Sequence, residues 1–105
     1  MLFSQTEIDL GSIKHGTVGE AQIVVTNNTP THISVTIPYS SCSCTTGSIR
    51  ENPIPPNSET IFFIHLDSNK SGIGVNMIKS ITMSWNENNI PFSQTFMVKA
   101  DVIVY

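Results

Sequence analysis

The chain is poor in charge. Asp, Glu, Lys and Arg make up 12% of its 105 residues, about half of the roughly 25% usual in soluble domains. Its bases, Lys14, Arg50, Lys70, Lys79 and Lys99, are scattered, and the net charge is −3. No basic patch is available to hold nucleic acid or an anionic membrane surface. No apolar run approaches the roughly 20 residues needed to span a bilayer. The opening stretch, Met1 to Glu7, has neither the basic nor the apolar region of a signal peptide. These absences predict a protein that is not secreted by a signal peptide and that works with protein partners.

Reaction chemistry is scarce as well. The acids Glu7, Asp9, Glu20, Glu51, Glu59, Asp67, Glu87 and Asp101 form no close pair in sequence. There is no glycine-rich phosphate loop and no Gly-x-Ser-x-Gly elbow. The expectation is a protein that is not an enzyme and needs no cofactor.

What is abundant is Ser, Thr and Asn, nearly a third of the chain, and a strand-like rhythm. Ile33-Ser34-Val35-Thr36-Ile37, Ile81-Thr82-Met83-Ser84-Trp85 and Phe96 to Val102 place apolar side chains at every second position, the signature of a half-buried strand. Ala21 to Thr26 and Thr60 to Leu66 are richer in apolar and β-branched residues, as central strands are. A strand over Thr6 to Leu10 and a short one near Thr46 to Arg50 bring the count to about seven. Turn signals separate them: Asn27-Asn28-Thr29-Pro30, Pro55-Pro56-Asn57-Ser58 with Asn57 suited to positive φ, and Asn86-Glu87-Asn88-Asn89 as a hairpin. With no helix to cover the apolar rows, two antiparallel sheets must cover one another. The predicted fold is all-β, an immunoglobulin-like antiparallel sandwich forming one domain over residues 1–105. Its predicted core is Ile8, Leu10, Ile23, Val25, Ile33, Val35, Ile37, Phe62, Ile64, Leu66, Ile81, Met83, Trp85, Phe96, Val98, Ala100 and Val102.

The order of short motifs resembles a known family. Ile8-Asp9-Leu10-Gly11 opens the chain, Ser41-Cys42-Ser43-Cys44-Thr45 follows the third strand, and Ile54-Pro55-Pro56-Asn57-Ser58-Glu59 precedes the next long one. This is similar to a bacterial domain-of-unknown-function family marked by a Cys-Gly-Cys-Thr signature, grouped with Hydin-like and major-sperm-protein-like immunoglobulin folds. Ser43 and Asn57 stand where that family carries Gly. The resemblance implies the sandwich and leaves the activity open.

The two cysteines, Cys42 and Cys44, admit three readings. On an extended strand residues i and i+2 lie about 6.6 Å apart at Cα, near the upper limit for a bridge, so a bridge is expected to be strained and to close too small a loop to stabilise much. One intervening residue is too tight for a structural zinc site. Burial as packing is the first reading. A thiol or Cu(I) site drawing on Cys42, Cys44, His15 and His65, placed at one pole by strand alternation, is the alternative.

For partners, the candidate contact residues are Tyr39, beside Pro38 at a loop edge, and Ile103 and Tyr105 in the apolar C-terminal run Val102-Ile103-Val104-Tyr105. A low-charge polar surface on a small sandwich fits a structural protein of a larger assembly, such as a decoration or adaptor subunit of a bacteriophage virion. A cytosolic bacterial protein-interaction module is the alternative.

Overall fold

The computed structural model describes residues 1–104 and contains eight strands. They are β1 (Leu2–Phe3), β2 (Glu7–Lys14), β3 (Val18–Asn27), β4 (Val35–Ser40), β5 (Thr45–Ile49), β6 (Ser58–Asp67), β7 (Gly74–Glu87) and β8 (Ile90–Ile103). A single helical turn, α1 (Ser68–Ser71), joins β6 to β7, and the Asp67 carboxylate caps it by accepting from the Asn69 N–H at 3.0 Å. One sheet runs β1-β3-β6-β5 and the other β2-β8-β7-β4. That division, with the first strand split between the sheets, is the immunoglobulin arrangement. The sheets face each other across the predicted apolar rows.

Local chemistry places the turns. Asn88 and Asn89, at φ 51° and 63°, close a two-residue hairpin in which Glu87 pairs with Ile90, as the positive-φ tolerance of Asn allows. Asn57 takes φ 51° in the turn before β6. β2 runs parallel to β8 and breaks register between Asp9 and Ser12, where Gly11 sits at φ 68°. That bulge leaves Leu10 only half-buried.

The main core gathers Ile23, Val25, Ile54, Phe62, Ile64, Ile81, Met83, Phe96 and Val98, all essentially sealed from solvent. Phe96 sits at the centre of an aromatic set, with its ring 5.2 Å from Phe62 and 5.2 Å from Phe3 of β1. Trp85 is core, not an interface anchor. It is 7% exposed, packs on Phe3 and Phe92, and donates its indole N–H to Glu87 at 2.7 Å. A second cluster, Ile13, Cys44, Leu66 and Ala100, closes one pole.

The core differs from expectation in a few places. Ile37 is half-buried because β4 bulges between Thr36 and Tyr39, around Pro38. Ile54, read from sequence as part of a proline-rich turn, is fully buried and forms a bridge with Ile33. Ile13 and Ala21 are also buried.

Candidate functional site

The Cys-x-Cys stretch lies where the chain changes sheets. β4 ends beside β7, with Ser41 N–H donating to the Ser80 carbonyl at 2.9 Å and Ser80 N–H donating to Ser41 Oγ at 2.9 Å. Three residues later the chain is in the other sheet, where Asp67 N–H donates to the Cys44 carbonyl at 2.8 Å. Between them the backbone turns, with Thr45 N–H reaching the Cys42 carbonyl at 3.1 Å. Turning brings the two Cα atoms to 5.1 Å, and Cys42 and Cys44 form a disulfide. The sequence estimate of about 6.6 Å assumed an extended strand, and the turn removes that premise.

The pairing changes what the candidate metal set can offer in this state. Both sulfurs are bonded to each other, so neither is a free thiolate ligand. The candidate histidines are placed as follows. His65, on the outer face of β6, meets the Glu20 carboxylate at 3.0 Å. His15 follows β2 in the turn, where its backbone N–H donates to the Ile103 carbonyl at 2.8 Å. Among the described residues no group of three His, Cys, Asp or Glu side chains is placed to hold a metal ion. The packing reading fits Cys44, which is 1% exposed in the apolar cluster of Ile13, Leu66 and Ala100, while Cys42 is only partly covered.

Glu20 is the acid with a resolved shift. The Gln22 amide that donates to it at 3.1 Å, and then His65, hold its carboxyl below the ordinary value. The group is exposed, and its role is local.

Of the candidate contact residues, Tyr39 is 56% exposed and paired with Thr82 of β7, while Ile103 is half-buried beside Lys14. Both stand on the outer face of the β2-β8-β7-β4 sheet. Thr82 pairs with Thr95, so Tyr39 and Ile103 are eight β8 positions apart, roughly 27 Å at strand spacing. They do not form one patch. Tyr105 lies outside the described residues.

A different surface emerges on β7. β4 accompanies this strand only from Trp85 to Ser80, whereas β7 continues to Gly74. Ser80 directs its N–H and carbonyl toward β4. By the two-residue repeat Ile78 directs its own to the same side, where no strand among the described residues receives them. Ile73, Val75 and Ile78 are each at least 60% exposed along this stretch. Several other edges carry features that discourage pairing, while β8 likewise runs on past β2 from Thr95 to Ile90, with Ile90 and Phe92 exposed. β2 carries Glu7, Asp9 and a bulge, β4 has Pro38 and a bulge, β1 and β5 are short, and the bare part of β3 carries Glu20 and Gln22. Ile78 also borders a shallow depression with Met97, Lys99, Ile8, Glu7 and Asp9. Sequence reasoning passed over this segment. The available signal was Ile73-Gly74-Val75-Asn76-Met77-Ile78, apolar at both odd and even positions.

The family described as "Protein of unknown function (DUF1573)" matches residues 1–102. The chain belongs to this family. Among solved structures, one entitled "Solution Structure of Amebosin" is similar at 17% identity and TM-score 0.45, covering 92% of this chain and 98% of that one. No curated protein matches. Membership of this family adds no activity to the geometry, so function is argued from the β7 edge.

Proposed function

We propose that the protein is a non-enzymatic interaction module, one component of a larger protein assembly, and that it takes up an extended segment of its partner along the open edge of β7. The observation that carries this is the departure of β4 at Ser80 while β7 runs on to Gly74. An unpaired strand flanked by exposed apolar side chains supports strand addition, where main-chain bonds supply affinity and side-chain pockets supply selectivity. Ile73, Val75 and Ile78 offer exposed apolar side chains along this stretch, which favours a partner segment with apolar side chains of its own.

The accessory role in a bacteriophage particle is the specific form of this proposal, supported by the sparse charge and the Ser-, Thr- and Asn-rich surface. The Hydin-like and major-sperm-protein-like grouping is likewise proposed, on the Cys-x-Cys-Thr stretch and the split first strand.

Affinity capture from the cells that make the protein tests the edge. Wild type, Ile78→Lys and a Gln22→Lys control on the opposite sheet are run in parallel. A stoichiometric partner retained by wild type and Gln22→Lys, and lost at least tenfold with Ile78→Lys, is the expected result. Equal capture by all three, or no partner with any, contradicts it.

A further inference from the structure

We propose that Cys42–Cys44 is an exchangeable disulfide, a two-electron site opened at Cys42 Sγ by thiols, and not a structural staple. The bridge spans one residue, Ser43. Closing so short a loop removes little freedom from the unfolded chain, so the bond adds little to the stability of the fold.

The turn has its own supports. Ser40 Oγ stands 2.8 Å from the carbonyl oxygens of both Cys42 and Thr45, and can donate its proton to either. The Thr45, Asp67, Ser41 and Ser80 backbone bonds pin both ends of the turn without using sulfur. After reduction the two thiols therefore stay within reach of each other. A turn so held lets the bond form and break with the surrounding sandwich in place.

The two sulfurs differ in the way exchange chemistry needs. Cys44 is 1% exposed, whereas Cys42 is only partly covered, so an incoming thiolate meets Cys42 first. The Cys44 N–H donates to Cys42 Sγ at 3.1 Å. That bond favours negative charge on Cys42 when it leaves or attacks as a thiolate. Thr45 Oγ1 lies 3.5 Å from Cys44 Sγ.

The reaction balances with a thiol as reductant. A thiolate RS⁻ attacks Cys42 Sγ, forming the RS–SCys42 bond as the Cys42–Cys44 bond breaks. The electron pair goes to Cys44 Sγ, which takes up a proton in its apolar surroundings. A second RS⁻ attacks the R-bearing sulfur, giving RSSR and the Cys42 thiolate, which is then protonated. The sum is protein disulfide plus two RSH giving protein dithiol plus RSSR. In the reverse direction Cys44 resolves a mixed disulfide on Cys42. The substrate class is a low-molecular-weight thiol or the dithiol of a reductase protein.

The test uses the full chain, equilibrated in buffers of graded reduced-to-oxidised glutathione and in a parallel arm with reduced thioredoxin. Thiol content is read by alkylation and mass spectrometry, and folding by circular dichroism. The expected result is reversible conversion of both cysteines in the folded protein by at least one reductant, with a Tm that moves by less than about 2 °C between redox states, under half the shift about 1 kcal/mol would cause. A glutathione adduct on Cys42 in Cys44→Ala, at least tenfold above any adduct on Cys44 in Cys42→Ala, identifies the entry sulfur. The wild-type titration decides the matter if either variant fails to fold. Resistance to both reductants until the protein unfolds, a large fall in Tm on reduction, or two thiols that never pair in the oxidised buffers overturns the proposal.

Discussion

Phe62→Ala lowers the unfolding free energy by about 3–5 kcal/mol, the range for removing a large buried aromatic from a core that cannot close the space. Total stability for a domain of this kind is on the order of 5–15 kcal/mol, so the variant sits near the limit of folding. The site explains the size of the loss. Phe62 is fully buried, packs on Phe96 at 5.2 Å between ring centres, and lies under the backbone of β5. That close approach is why residue 47 is glycine. A Cβ at Gly47 would stand 2.6 Å from Phe62 Cε1 and 2.9 Å from Ile81 Cδ1. Gly47→Ala alone is therefore expected to cost about 1–3 kcal/mol by overpacking. Adding Phe62→Leu, which withdraws the ring edge, should recover part of that loss, a coupling that independent sites would not show. Urea denaturation of Phe62→Ala, Gly47→Ala, Phe62→Leu and the double variant Gly47→Ala/Phe62→Leu measures all three quantities. Additive losses would mean that the β5 backbone does not rest on this ring.

The second large effect is at Asn27, the last residue of β3 and fully buried. Its Nδ2 group points at the carbonyls of Thr31, Ile54 and Pro55 at 2.8, 3.0 and 3.0 Å. Its Oδ1 accepts from Thr29 N–H at 3.0 Å and Thr29 Oγ1 at 2.7 Å. One amide thus ties the crossing between the sheets to the loop that carries Ile54. Asn27→Ala leaves the buried Ile54 carbonyl without this partner and removes four part-buried bonds; a stranded buried group costs about 1–3 kcal/mol, and a loss of about 3 kcal/mol is expected. Asn27→Asp keeps the shape but presents a carboxylate to three carbonyl oxygens, which raises the acid's native pKa. A raised acid pKa means that the folded state binds the extra proton. The Asn27→Asp variant should therefore be most stable below about pH 3.9, the ordinary Asp value, and weaken as pH rises from there to the raised native value. Thermal melts of wild type, Asn27→Ala and Asn27→Asp from acid to neutral pH measure this. A pH-independent difference between Asn27→Asp and wild type would show that the amide does not face those carbonyls.

Much of this architecture is written in local pattern. The alternation at Ile81, Met83 and Trp85, and at Phe96, Val98, Ala100 and Val102, reports which side of each strand faces the other sheet, because side chains alternate strictly along an extended backbone. Asn57 and Asn88-Asn89 are legible for the same reason, since few residues accept positive φ. Ile54 was hidden by its neighbours Pro53 and Pro55, whose composition says turn while the long-range bond to Ile33 decides burial. The cysteine pair was misjudged because spacing in sequence becomes a distance only once the backbone shape is known. The β7 edge is a difference in length between two paired strands, and no window of sequence contains both. Asn27 reads as a turn residue, and only the fold brings Ile54 and Pro55 to its amide.

Amide hydrogen exchange on the free protein and on its captured complex tests most directly whether the unpaired edge of β7 below Ser80 takes up a partner strand. The Ile78 N–H should exchange at least a hundredfold faster than those of Met83 and Phe96 in the free protein, a gap of about 2.7 kcal/mol in opening free energy, and become protected in the complex. An Ile78 amide already protected in the free protein, or one that exchanges equally fast in both states, would contradict it.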